Sequence, residues 1–181
     1  MKKNIVIGLV VLVALAGGLW VQVLRQAPVS TPPGIGAASL DFAFPDVDGQ
    51  MQNIRQWQGK ILVINFWATW CGPCLQEIPE FIRLQDEYGG RGVQFVGIAI
   101  EDREAVAAYL KGVAVNYPVM VAGDAGSYLA RQLGNIINAV PFTVIVDHQG
   151  QIVHRQPGEL SRQQFQRIVE PLLTAPLLAA K

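Results

Sequence analysis

The run that most constrains this chain is Ile61 to Phe81, ILVINFWATWCGPCLQEIPEF. It opens as a nearly continuous apolar stretch, as a strand covered on both faces does. It then passes two tryptophans and reaches Cys71-Gly72-Pro73-Cys74, after which Leu75, Ile78, Phe81 and Ile82 recur at helical spacing. A dithiol is thereby set at the first turn of a helix, where unpaired backbone N–H groups and the positive end of the helix dipole favour thiolate. Thiolate is the form that attacks disulfides. The chain has two cysteines, and both lie in this motif. A purely stabilising disulfide is a poor alternative, because so small a closed loop removes little chain entropy. A structural zinc needs four ligands, and His148 and His154 lack the spacing to complete a set. The stretch reads as a thiol–disulfide redox site with no metal and no cofactor beyond the Cys71–Cys74 pair itself.

The strand–Trp–CGPC–helix order, with Phe66-Trp67-Ala68 and Trp70, is similar to the thioredoxin superfamily. The longer run NFWATWCGPCLQEIPEF resembles its membrane-anchored TlpA/ResA-like branch, and the likeness extends from about Leu40 to about Leu173. The resemblance implies a thioredoxin-like α/β fold: a mixed central sheet with helices on both faces, an N-terminal hairpin, and an extra helix and strand between the second core strand and Pro141.

The site residues follow from both sources. Cys71, at the exposed edge of the helix start, is the expected attacking thiol, and Cys74, one turn deeper, the resolving one. Pro73 at the helix start loses only an N–H that would be unpaired anyway, and Gly72 leaves room for a protein substrate. Glu77 follows Cys74 by three residues and so shares its helix face. In the TlpA/ResA-like pattern a glutamate here lies close to the dithiol, and the resemblance implies that it exchanges a proton with Cys74; an exposed helix glutamate is the alternative. Val140-Pro141 resembles the cis-proline loop opposite the dithiol, which holds the Val140 backbone open for pairing with an incoming strand. Trp70 is expected to shape the docking surface, and Trp67 either to join it or to pack in the core. Asn65 departs from cytoplasmic thioredoxins, which carry a buried aspartate at the matching position. An amide cannot titrate, and Glu77 becomes the carboxylate of interest.

Around this centre the chain divides into four parts. Met1-Lys2-Lys3-Asn4 is a basic start, and residues 5–24 carry no charge. Twenty residues at about 1.5 Å each span roughly 30 Å, the thickness of a bilayer core. Lys2 and Lys3 ahead of the segment, against Arg25 after it, orient the N-terminus to the cytoplasm and the rest of the chain outside. A cleaved signal peptide is the rival reading, since Ala14-Leu15-Ala16 is A-x-A-like; continuation of the apolar run past Ala16 favours a retained anchor. Residues 25–39 (RQAPVSTPPGIGAAS) read as a flexible linker, 40–175 as the thioredoxin-like domain, and 176–181 as a loose tail.

Within the domain, Asp48-Gly49 marks a turn between Phe42–Phe44 and Met51. Further strands are expected at Val93–Ile100, Tyr117–Val121, Phe142–Val146 and Ile152–His154, and helices at Asp102–Lys111, Ala125–Leu133 and after Ser161. Gly89-Gly90 is expected to stop the redox helix near Tyr88, and the two histidines to face solvent.

Fourteen basic and fourteen acidic residues balance to a formal net charge of zero, which argues against a nucleic-acid partner. Together these features predict an inner-membrane, single-pass thiol–disulfide oxidoreductase with its catalytic domain on the extracytoplasmic, periplasmic side. Its expected partners are protein disulfides and a membrane thiol-electron donor, and the family makes cytochrome c maturation one client pathway. An exported oxidase or isomerase uses the same chemistry in the opposite direction. A thiol peroxidase is disfavoured, because the threonine expected three residues before its cysteine is Ala68 or Cys71 here. A non-catalytic docking module is disfavoured by the intact CGPC.

Overall fold

The computed structural model describes residues 40–174. The expected anchor at 5–24, the linker at 25–39 and the tail at 176–181 lie outside the described residues. Among those described, no helix is long and apolar enough to cross a membrane.

In chain order the elements are β1 (Ala43–Pro45), β2 (Met51–Asn53), β3 (Ile61–Trp67), α1 (Gly72–Tyr88), β4 (Val93–Ala99), α2 (Arg103–Gly112), β5 (Val119–Val121), α3 (Gly123–Gln132), β6 (Phe142–Val146), β7 (Ile152–Pro157) and α4 (Arg162–Thr174). β1 and β2 form a separate two-stranded hairpin, and the central sheet runs β5-β4-β3-β6-β7. β3, β4 and β5 are parallel, whereas β6 and β7 are antiparallel to their neighbours. The expected mixed sheet with helices on both faces is the one observed.

β3 is the central strand of the five, and every one of its seven residues is buried. Its side chains alternate between two cores, as the two-residue strand period requires. Ile61, Val63 and Trp67 pack with Ile78, Phe81 and Leu84 of α1 and with Phe165 and Val169 of α4. Leu62, Ile64 and Phe66 pack on the other face with Leu129 and Ala130 of α3 and with Leu40 and Ile54. Asn65 takes its place on the first of these faces, beside α1.

Two turns share one chemistry. In Asp46-Val47-Asp48-Gly49-Gln50 the Asp46 carboxylate accepts the N–H groups of Asp48 and Gln50 at 3.0 and 2.9 Å. In Asp147-His148-Gln149-Gly150-Gln151, Asp147 accepts those of Gln149 and Gln151 at 2.9 and 2.8 Å. In each, the fourth residue has positive φ, 83° and 78°, which glycine adopts without steric penalty.

Several boundaries differ from expectation, each for a local reason. Gly89 stays helical at φ −57°, and the chain makes one further turn of 3₁₀ helix before Gly92, at φ 92°, ends it. β5 begins at Val119 rather than Tyr117, because Pro118 has no N–H for the ladder. Asp102 occupies the position before α2, yet its side chain makes no capping bond. Ser161 does cap α4: its hydroxyl accepts from Gln164 N–H at 3.3 Å, and the Gln164 side chain accepts from Ser161 N–H at 3.0 Å. His148 and His154 are half-buried rather than solvent-facing, and the His148 ring lies 3.2 Å from the carbonyls of both Gly59 and Leu172.

Candidate active site

Where β3 ends, the chain turns through Ala68-Thr69-Trp70 and enters α1. Cys71 is the residue before the helix, in extended conformation, and its Sγ lies 3.3 Å from the backbone N–H of Cys74. That N–H is one of the helix's unpaired first-turn donors, so sulfur stands in the position of an N-cap oxygen. No acidic residue lies in the first turn to oppose negative charge there. The two cysteines form a disulfide with a Cα–Cα distance of 5.3 Å. Cys71 is 5% exposed and Cys74 fully buried, while Gly72 and Pro73 form the exposed rim.

Trp70 projects into solvent at 67% exposure, and Trp67 is buried against Tyr109. Trp67 is therefore a core residue, leaving Trp70 as the tryptophan that an approaching protein meets. The turn that carries Trp70 is held by Glu101, whose carboxylate accepts both the backbone N–H and the hydroxyl of Thr69. Glu101 follows β4, the strand next to β3, and nothing in its sequence neighbourhood marks it for this contact.

Glu77 lies on the next turn of α1, facing the sheet and 5% exposed. One carboxylate oxygen accepts from the Asn65 amide at 2.7 Å, and the other from the backbone N–H of Leu160 at 3.0 Å. Burial pushes its pKa up to about 7, the two hydrogen bonds hold it down in part, and Glu159 adds a further upward push. A carboxyl that titrates near neutrality can take or give a proton at working pH. The exposed-helix alternative does not describe Glu77.

Val140-Pro141 leads into β6, the partner of β3 on the side away from β4, and the peptide bond between them is cis. Val140 is half-buried and shares with Trp70 a pocket of about 220 Å³, whose lining is completed by Ile100, Ser127, Ala130, Asn135 and Asn138. Another cavity, of about 240 Å³, lies near the opposite end of β3, among Leu40, Ile54, Lys60 and Leu62. It adjoins none of the dithiol residues.

The fold thus gathers Trp70, Cys71, Gly72, Pro73, Cys74 and Glu77 at the C-terminal end of β3 and the start of α1. It brings Val140 to Trp70 from about seventy residues downstream. A dithiol at this strand–helix junction of a mixed thioredoxin-like sheet defines the class: a thiol–disulfide oxidoreductase.

The Redoxin family model matches residues 35–170, and the chain belongs to that family, on its TlpA/ResA-like thiol–disulfide oxidoreductase side. It is 26% identical over 175 residues to the thiol-disulfide oxidoreductase ResA of Bacillus cereus, covering 95% of this chain and 99% of the relative. It is 31% identical to a thioredoxin-family thiol:disulfide interchange protein from Chlorobium tepidum, with a TM-score of 0.70 over 80% of this chain and 99% of that one. A secreted disulfide oxidoreductase of Mycobacterium tuberculosis shares the fold at 22% identity, with a TM-score of 0.63 over 75% of this chain and 98% of that one.

Proposed function

We propose that the protein is a membrane-tethered, extracytoplasmic reductase of protein disulfides, acting through Cys71 and Cys74. The observation that carries the thiol–disulfide exchange in this reading is a dithiol at a helix N-terminus with a buried glutamate one turn away, its pKa pushed up to about 7 by burial. In the reduced enzyme the Cys71 thiolate attacks one sulfur of the client disulfide, and the other client sulfur leaves as thiolate. Cys74 gives its proton to the Glu77 carboxylate and attacks the Cys71 sulfur. The second client thiolate departs, and the enzyme is left with the Cys71–Cys74 disulfide. A membrane dithiol donor then returns two electrons, because the exported side has no soluble thioredoxin reductase to do so.

Docking falls to the exposed rim. Trp70, Gly72 and Pro73 offer a surface for the client, and the Val140 backbone beside Pro141 pairs with an extended client segment. The uncharged run 5–24 serves as the inner-membrane anchor, on the inside-to-outside orientation given by Lys2 and Lys3. Cytochrome c maturation is one client pathway that fits an exported reductase of this kind.

The test is the equilibrium reduction potential of the Cys71–Cys74 couple in the full chain, measured in glutathione or dithiothreitol buffers. A value near about −270 mV, as in thioredoxin, supports the reductase. A value near about −120 mV makes the protein an oxidase, since that difference of roughly 7 kcal/mol reverses the direction of transfer against most client disulfides.

A further inference from the structure

Asn65 is hard to explain as a strand residue. It sits in the middle of β3, 2% exposed, where its neighbours are Ile64 and Phe66 and where asparagine has low strand propensity. An aliphatic side chain would fill the position without burying a polar amide. Both N–H bonds of the amide are used, one to Glu77 Oε1 at 2.7 Å and one to Thr143 Oγ1 at 3.0 Å. Its carbonyl Oδ1 is buried without a hydrogen-bond partner. The side chain is therefore placed for what its NH₂ group meets. Turned the other way it would set oxygen against the Glu77 carboxylate, a contact that only a protonated carboxyl accepts.

Thr143 is the register partner of Asn65 across the β3–β6 ladder. It follows Pro141 by two residues, on the strand that leads away from the cis bond. One amide thus spans from the helix that carries the dithiol to the strand beside the cis-proline loop.

We propose that Asn65 is a positioning residue: its amide fixes the Glu77 carboxylate against Thr143, joining the proton acceptor to the strand that Pro141 opens. The inference rests on reading Glu77 as the group that takes the proton of Cys74. The other groups that face the carboxylate are the Leu160 N–H and Glu159 from the segment before α4, and Tyr117 from the segment before β5; Cys74 precedes Glu77 by three residues on the same helix, and both are buried. None of these is a cation, so the Asn65 amide and the Leu160 N–H are the groups that favour the charged form.

The decisive experiment follows the carboxyl carbon of Glu77 by NMR through a pH titration of the oxidised full chain. In Asn65→Leu the midpoint is expected to rise by about one pH unit, a tenfold gain in proton affinity, through loss of a charge-assisted hydrogen bond. Thr143→Val, which frees the amide without removing it, should move the midpoint the same way by less. The Asn65 side-chain N–H signals should titrate in step with Glu77 and become pH-independent in Glu77→Gln. An unchanged midpoint in Asn65→Leu overturns the proposal. Should that variant not fold, Asn65→Ser, whose hydroxyl is too short to reach Oε1, is read by the same criterion. Glu77→Gln separates the two readings: if disulfide reduction keeps its wild-type pH profile there, the proton-acceptor role fails, while the midpoint in Asn65→Leu still decides the positioning role.

Discussion

At the scale of the residue, Glu77 sets an expected pH dependence between the acid range and neutrality. Burial raises its pKa from 4.5 in a free side chain to about 7 in the fold. The folded state therefore binds the proton more tightly than the unfolded state, and stability falls as pH rises from about 4.5 to about 7. The loss is on the order of 3 kcal/mol, since each tenfold change in proton affinity is worth about 1.4 kcal/mol. Urea unfolding of the oxidised protein at pH 5 and pH 8 should show this loss. In Glu77→Gln most of the slope should vanish, and the variant should match or exceed wild type at pH 8. A wild-type curve flat across that range would show that the carboxyl is not raised. Cys71 and Cys74 divide their work in a way that trapping can read: Cys74→Ser should accumulate a mixed disulfide between Cys71 and the client, visible on a non-reducing gel, whereas Cys71→Ser should form none and lose turnover.

At the scale of the element, the junction of β3 with α1 and β4 leaves little free space. A Cβ on Gly97, the register partner of Asn65, would meet Trp67 Nε1 at 3.1 Å and the Tyr117 and Val119 side chains at 3.5 Å. Gly97→Ala should therefore destabilise by about 1–3 kcal/mol through overpacking, measured as a lower urea midpoint at unchanged slope. Trp70 is the contrasting case, since it packs little and is mostly exposed. Trp70→Ala should leave stability within about 0.5 kcal/mol of wild type. It should lower kcat/KM toward a protein disulfide while reduction of a small-molecule disulfide is kept. Equal losses toward both substrates would place Trp70 in the chemistry rather than in docking.

At the scale of the whole molecule, α1 and α4 are joined along their length. Tyr88 donates to Glu170 at 2.7 Å, Arg91 pairs with the same carboxylate at 2.9 Å, and Arg162 bridges Glu80 and Glu87. The arginine pairs lie at the surface and contribute at most about 1 kcal/mol each. The stronger tie is apolar: Phe165 stacks on Phe95 at 5.5 Å and meets Tyr88 edge-on at 5.0 Å, fully buried. Phe165→Ala should cost about 3–5 kcal/mol. Tyr88 lies about 20 Å along α1 from Cys74, by helical rise. The reduction potential of Cys71–Cys74 should therefore stay at the wild-type value in the folded variant, and a changed potential would mean that α4 acts on the site.

What the sequence by itself determined is the part of the protein set by neighbours a few residues apart. The apolar run of β3, the CGPC motif and the helical spacing of Leu75, Ile78 and Phe81 fix a dithiol at a helix start, because strand period, helix period and the end-dipole are all local properties. The two Asp-x-x-Gly turns are legible for the same reason. The tertiary structure alone decided what surrounds each of those side chains. Thr143 and Leu160 reach Asn65 and Glu77 across 78 and 83 residues of chain. Glu101 reaches Thr69 across 32. The character of Glu77 as a buried carboxyl titrating near 7, and of Trp67 as core beside an exposed Trp70, follows from which segments pack over them. Burial sets proton affinity through the free energy of removing charge from water, and it exists only once distant segments have closed over the site.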